Sequence, residues 1–554
     1  LSGGDERGLW RAIWVAWGAS LAVSALLYFV WSWRWPLVGD ASLIHYIVFL
    51  TEHGMAPYRD LGDMNMPGSF LIEMAAMHVF GMGDLGWRLF DFALMVAAAG
   101  SFFVITGKRW QAGLFAASLF IVIHGRDGLA EGGQRDLTMA VCLIAATAFL
   151  FLAVRRGWGW AAGAFGLLSG IAVTIKPTAL PLTVVQVALA VGAMYRSLHS
   201  SQERDEWGTG RVGRVVVPAG VAYLAGPALA IAFLVREQAV GAFLRGVRGI
   251  VPYYASLGHR PVGFVVLHSV SPVLALVGIW VAMLGIRRVL PDGRPDGGRP
   301  ALRAVLGFAW RSRWSRFDWE RNALLVGAAF GVAACVVQQR ALPYYRYPLL
   351  AFLLPLMGID FTRALRVPAD AGMRAKAAGC LAVAGLCVGG FFLAPQSAVI
   401  FHRYRWWETD FISTLEARLE ALGGAKLSGQ VQCIDSISGC GNVLYRMRLV
   451  QATGVLSDFL LFGPEDVPVV RETRREFSAA IRAHPPRVIV VTSHLHIDGP
   501  DEYKKLERWP EFEAFLKSDY TLDTEWTPSR TARWWSREET PAGYRVYVLR
   551  AAID

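Results

Sequence analysis

The chain has 554 residues, 54% of them hydrophobic, and a formal charge of +11. Its mean hydropathy of +0.37 is too high for a soluble enzyme of this length and points to a polytopic membrane protein. The basic residues do not gather on one stripe, as a nucleic-acid surface would need. They fall in short clusters between apolar runs, the pattern that membrane topology produces.

In chain order, apolar runs near 9–30, 88–106, 111–124, 137–153, 158–175, 178–195, 215–234, 263–286, 322–338, 347–362 and 377–394 predict about 11 transmembrane helices. The first run is too long for a cleavable signal peptide and lacks a small-residue cleavage site. Lys108-Arg109, Arg155-Arg156, and the basic stretches 196–214, 287–321 and 363–376 fall on one side of this alternation. The positive-inside rule makes that side the cytoplasm. The N-terminus is then cytoplasmic, while the first loop (32–87), 125–136, 235–262, 339–346 and the chain after 395 lie outside.

The first outside loop carries an unusual density of carboxylates. After Gly39-Asp40, residues Leu43, Ile44, Ile47 and Leu50 recur at helical spacing, with Gly54 as a stop. Pro67 opens a second helix through Ile72, Ala76 and Val79. Both are too polar to span and are predicted to lie as interfacial helices. Asp40 suits a helix cap by residue type, and it equally suits chemistry at the membrane surface, where carboxylates are costly unless used. The two readings are compatible.

Three later stretches place polar groups on the same side. Gly133-Gln134-Arg135-Asp136 opens a span, and Arg135 has Asp136 and Asp127 within reach as partners. Lys176-Pro177 ends another span on the side depleted in basic residues, although a lysine there also snorkels readily. Pro343-Tyr344-Tyr345-Arg346-Tyr347 reads either as an aromatic belt or as a stacking surface. Arg403-Tyr404-Arg405-Trp406-Trp407, past the last span, carries the same ambiguity.

From 395 to 554 the pattern changes to that of a soluble α/β domain. Strands are predicted at 431–435, 487–491 and 544–549, and helices at 442–450, 471–483 and 503–517. Cys433 and Cys440 lie in this outer domain, where a disulfide would persist; their spacing leaves a bridge open. Cys142, Cys335, Cys380 and Cys387 read as small buried hydrophobes. His494, His496 and Asp498 lack a full ligand set, and the spacing of Asp40, His45 and Glu52 does not require a cation. No cofactor is required and a divalent metal is unsupported. With no Walker loop, dinucleotide fingerprint or nucleophile elbow, a nucleotide-sugar donor is unsupported too.

Together, Gly39-Asp40, Pro57-Tyr58-Arg59-Asp60, Asn65 with Pro67, Gly86-Trp87-Arg88-Leu89, the Gly133-Gln134-Arg135-Asp136 turn, Gly170 through Lys176-Pro177, and Pro343 to Leu350 resemble one family. It is the bacterial branch of the dolichyl-phosphate-mannose protein mannosyltransferases, GT-C membrane glycosyltransferases related to the lipid A aminoarabinose transferases. The match covers roughly 1–395. It departs at Asn65-Met66-Pro67-Gly68, where family members often have Asn-Lys-Pro-Pro.

The resemblance implies a GT-C-like membrane domain (1–394) in a bacterial cytoplasmic membrane, and the topology and composition add an extracytoplasmic α/β domain (395–554). It implies inverting transfer of a sugar from a polyprenyl-phosphate carrier to an acceptor hydroxyl on the outer face. Asp40 takes the position of the catalytic carboxylate, and one carboxylate suffices for direct displacement. Lys176, Arg346, Arg135 and Arg405 would meet the donor phosphate, whose charge grows as it leaves. Tyr58, Arg59, Asp60, Asp63, Asn65, Asp136, Tyr344 and Tyr345 would surround the substrates. The partners implied are the lipid-linked donor, a glycan, lipid or protein acceptor and the bilayer, with no nucleic acid. A protein O-glycosyltransferase is a variant of this reading. A lipid-linked sugar transporter or flippase would use Asp40 and Lys176 as ligands, but the inverted repeats common in transporters are not visible. A membrane scaffold leaves the first-loop carboxylates without a role.

Overall fold

A computed structural model describes residues 3–200, 207–289, 318–366, 372–402, 408–495, 499–528 and 542–550. Every apolar run becomes a helix. Among the described residues, eight helices are long and apolar enough to cross a membrane: Gly8–Ser32, Asp84–Thr106, Arg135–Arg156, Pro177–Arg196, Val212–Arg236, Val262–Ile286, Trp319–Gln338 and Met373–Phe401. The remaining three runs form Trp110–Asp127, Gly159–Ile175 and Tyr347–Ala364. Two of these are central: Trp110–Asp127 and Tyr347–Ala364 are buried along most of their length. A helix shielded by its neighbours tolerates the polar groups His124, Asp127 and Asp360 that a lipid-facing helix would not.

We label the first elements α1 (Gly3–Ser32), α2 (Gly39–Glu52), α3 (Pro67–Phe80), α4 (Asp84–Thr106), α5 (Trp110–Asp127), α6 (Arg135–Arg156) and α7 (Gly159–Ile175). Pro67 stands at the start of α3 as its fixed φ favours, and left-handed Gly157 ends α6. The last span runs past the expected 394 to Phe401. It contains a π-helical stretch, Val388–Leu393, where Gly389 and Gly390 admit the rings of Phe115 and Trp17.

The C-terminal region holds a four-stranded sheet in the order β1-β2-β6-β5, formed by β1 (Val431–Ile434), β2 (Val488–Thr492), β5 (Tyr520–Trp526) and β6 (Tyr544–Leu549). The β1–β2 pair is parallel, with Pro468–Ala483 as the crossover helix between them, and the other pairs are antiparallel. A two-residue pair, β3 (His494–Leu495) and β4 (Gly499–Pro500), lies beside it. Strand β5 went unforeseen because it is an edge strand whose Thr, Asp and Glu side chains face solvent. The helix expected over 503–517 is divided at Trp509-Pro510, giving a 3₁₀ turn and then Pro510–Asp519. Cys433 and Cys440 are bridged, with Cα atoms 6.0 Å apart. Cys142 and Cys335 are buried as expected, but Cys380 is exposed and Cys387 half-buried.

This region is seated directly on the first loop. The Tyr46 hydroxyl donates to the Leu449 carbonyl at 3.0 Å, and Asn442 Nδ2 to the Leu37 carbonyl at 2.5 Å. Residues Ala41 to Leu50 of α2 are buried without a break. One apolar core joins Ile44 and Ile47 to Phe411, Val443 and Val488. The periodic face of α2 was legible in the sequence; its other face is covered by the C-terminal sheet and helices rather than by water.

Candidate active site

A narrow cleft lies where these parts meet. The first turn of α2 contributes Asp40, and the start of α6 contributes Arg135. Met64 and Asn65 come from the loop before α3, and Tyr254 comes from the short helix Ile250–Ser256. Ser436, Ile437, Ser457 and Phe459 close it from the C-terminal region. The loops expected on one side of the membrane therefore assemble at one end of the bundle.

Asp40 is not the cap of α2. Val38 holds the cap position without a side-chain bond, and Gly39 (φ +61°) turns the chain into the helix against Ala130. The Asp40 carboxylate instead accepts a hydrogen bond from Arg135 Nη2 at 2.8 Å, and both side chains are 18% exposed. Of the partners open to Arg135, neither Asp136 nor Asp127 makes this bond. Asp136 takes Lys176, whose Nζ lies 2.7 Å from both carboxylate oxygens and 2.9 Å from Gln338 Oε1. The same ammonium sits 4.9 Å from the centre of the Tyr345 ring. Lys176 thus points inward to a carboxylate rather than outward to headgroups.

Asp63 is buried, and its Oδ1 accepts the backbone N–H of Asn65 at 2.6 Å. Burial pushes its pKa up to about 6, although Arg135 pulls the other way. The Asn65 side chain is buried too, and its Nδ2 has no hydrogen-bond partner. Tyr58, in the left-handed region at φ 66°, donates its hydroxyl to the Asn65 carbonyl at 2.5 Å. Arg59 and Asp60 pair at 2.7 Å; Asp60 also accepts the Ala56 N–H, and Arg59 reaches the carbonyls of Gly54 and Glu237. Among these, Asn65 lines the cleft, while Tyr58, Arg59 and Asp60 brace the loop that presents it.

Arg346 stands elsewhere. It is fully buried, 2.6 Å from Asp127 and 2.9 Å from His268 Nε2. The 3₁₀ turn Pro343–Arg346 rotates its side chain into the bundle, so contact with a phosphate in the cleft would first require breaking a buried ion pair. Tyr344 and Tyr345 are likewise buried and meet edge-to-face at 4.6 Å, not as an exposed belt. Arg405, His496 and Asp498 lie outside the described residues. His45 contacts Glu73 at 2.5 Å, so Asp40, His45 and Glu52 do not converge. Among the described residues, no group of three or more His, Cys, Asp or Glu is placed to hold a metal ion.

Sequence reasoning missed several contributors. Arg340 stacks over the Tyr254 ring at 3.9 Å and donates to the Leu257 carbonyl, fixing one wall. A fully buried network of Arg88, Asp91, Tyr28, His124 and Tyr347 lies beneath the cleft. Asp91 Oδ1 accepts the Gly133 N–H at 2.9 Å, which anchors the turn that leads into Arg135. Asp91 three residues after Arg88 in an apolar span was the available signal.

No family model matches the chain, and no curated protein sequence does. Solved structures do. ArnT from Cupriavidus metallidurans in the apo state superimposes with a TM-score of 0.53 at 13% identity, covering 97% of this chain and 98% of that one. This chain has the ArnT fold. The same protein bound to undecaprenyl phosphate gives a TM-score of 0.52 at 13% identity, covering 96% and 98%. Arabinofuranosyltransferase AftD from Mycobacteria aligns at a TM-score of 0.45 and 13% identity, over 96% of this chain and 40% of that one. The GT-C-like membrane architecture expected from the motifs is therefore the architecture present, and the ArnT likeness extends through the C-terminal sheet.

Within the ArnT fold, the cleft holds one carboxylate that faces open space, Asp40, and a cation beside it. One turn of α6 also carries the second ion pair, Asp136 with Lys176. Such a set can accept a proton at one point and stabilise negative charge at another.

Proposed function

We propose that this protein is a membrane glycosyltransferase that moves a sugar from a polyprenyl-phosphate carrier to an acceptor hydroxyl, with inversion, on the outer face of a bacterial cytoplasmic membrane. The observation that carries the reading is the Asp40–Arg135 pair at 2.8 Å in a cleft, on the fold that ArnT uses when bound to undecaprenyl phosphate.

The acceptor oxygen attacks the anomeric carbon from the face opposite the phosphate. Its proton passes to Asp40, the bond between the anomeric carbon and the phosphate oxygen breaks, and the electron pair leaves on the lipid phosphate. A positioned carboxylate base contributes about 10²–10⁴-fold to such a step. Arg135 and Lys176 stabilise the charge that grows on the leaving phosphate, and a site shielded from water strengthens that effect. The C-terminal domain, outside the cytoplasm, closes the cleft through Ser436 and Ser457 and takes part in choosing the acceptor.

The test is to reconstitute the protein in vesicles with undecaprenyl-phosphate-linked sugars and a bacterial envelope extract. Sugar transfer with release of undecaprenyl phosphate supports the reading. Movement of intact lipid-linked sugar across the bilayer without release would favour a transporter.

A further inference from the structure

Arg135 and Asp136 are consecutive residues in the first turn of the 22-residue helix α6. Each is tied to a residue of opposite charge from another element, Arg135 to Asp40 and Asp136 to Lys176. The helix start itself is bare: Gln134 holds the cap position and makes no side-chain cap bond. The buried Asn65 amide, which has no partner, lines the same cleft. Two cations carried on or beside the first turn of α6 form a seat for an anion. The two carboxylates, Asp40 and Asp136, occupy the cations of that seat.

We infer that the donor phosphate and these two carboxylates compete for the same two cations. The incoming phosphate takes Arg135 and Lys176, and Asp40, released from Arg135, becomes able to accept the acceptor's proton. This rests on the lipid-phosphate chemistry proposed above and adds an order to it: donor first, base second. Asp40 Oδ2 accepts the Arg135 Nη2 hydrogen bond, so that oxygen is turned away from an incoming hydroxyl until Arg135 moves to the phosphate. Arg135 and Asp40 are each 18% exposed and Lys176 is 24% exposed, while Asp136 is buried at 2%, so the cations turn toward the phosphate and Asp136 stays in place. Asp136 thereby becomes a positioning residue that holds Lys176 at the seat, while Arg135 restrains Asp40 until the phosphate arrives. The benefit is chemical. Without donor, Asp40 stays neutralised; with donor, base and leaving-group stabilisation appear together.

The probe is undecaprenyl phosphate, titrated into the full chain in nanodiscs. Asp40→Asn removes the competitor of Arg135 and is expected to tighten binding by about tenfold, as expected for losing a close competing charge. In an Arg135→Gln background the same substitution should change affinity by less than roughly twofold, because the cation under competition is gone. Asp136→Asn should likewise tighten binding, with the gain lost beside Lys176→Gln; this second pair keeps the test valid if an Asp40 variant folds poorly. Unchanged affinity in both single variants overturns the exchange. So does a gain that survives in the Arg135→Gln and Lys176→Gln backgrounds, since that would be relief of repulsion alone. If the wild-type chain does not bind undecaprenyl phosphate at all, the lipid-phosphate reading itself fails, and that result is distinct from the other two.

Discussion

Asp40 and Arg135 stand 95 positions apart in the sequence and 2.8 Å apart in the structure. The pair joins the first turn of α2 to the first turn of α6, so two helices meet through charge at the cleft. Asp40 sits inside its helix's first turn, where the N-terminal dipole favours a carboxylate, yet its side chain is turned to Arg135 and not to its own backbone. The geometry therefore shows that Asp40 does not cap α2, which residue type alone left open.

Lys176 and Arg346 are expected to respond differently to neutralisation. Lys176→Gln should weaken undecaprenyl phosphate binding by about tenfold, with some loss of melting temperature beside it because buried Asp136 loses its charged partner. Arg346→Gln breaks the fully buried ion pair with Asp127 and should lower stability clearly more than Lys176→Gln does, by about 3 kcal/mol. Binding titrations and thermal melts of both variants in one detergent separate the two roles. A destabilised Lys176→Gln with normal binding would make Lys176 structural as well.

The Cys433–Cys440 bridge closes the loop that carries Ser436 and Ile437 to the cleft. Asp435 already holds that loop by accepting the N–H groups of Ser438, Gly439 and Cys440, and Ser436 donates to Asp458, which pairs with buried Lys505. Replacing both cysteines by serine should therefore leave the domain folded, with a loss of about 2 kcal/mol. Transfer should fall several-fold with undecaprenyl phosphate affinity unchanged. Equal losses in both would mean that the loop supports the whole site.

Asp63 gives a pH signature. Its folded pKa of about 6 lies above the ordinary value of 3.8 because it is buried. The native chain then holds a proton that the unfolded chain releases, so this group's favourable contribution is lost as pH rises from about 4 through about 6. Asp63→Asn keeps the acceptor for the Asn65 N–H and removes the ionisation. Melting temperatures at pH 5 and pH 8 should differ less in the variant than in wild type, with the variant gaining at pH 8. An identical pH dependence in both would show that Asp63 is solvated in the membrane-bound protein.

Much of the architecture was legible because spans are long, apolar and self-contained. All eleven runs became helices, and the start of α3 at Pro67 and the strands at Val431, Val488 and Tyr544 lie within a residue or so of the pattern. Charge pairing was not legible. The sequence offers Arg135 several carboxylates, Asp127 and Asp136 nearest among them, and the packing of α2 against the 128–136 turn selects Asp40. Arg346 follows two tyrosines in an apparently interfacial motif, yet a 3₁₀ turn sends it inward to Asp127. Ser436 and Ser457 belong to no pattern at all; they reach the cleft because the C-terminal helix Cys440–Arg446 packs on α2.

The most direct test of the central claim is sugar transfer by Asp40→Asn in the reconstituted system, with binding of undecaprenyl phosphate measured on the same preparation. The substitution keeps the size of the side chain and removes its basic oxygen. The account predicts that the folded variant binds undecaprenyl phosphate at least as well as wild type, while transfer falls by about 10²-fold or more. Transfer at the wild-type rate would contradict it and leave Asp40 as no more than the structural partner of Arg135.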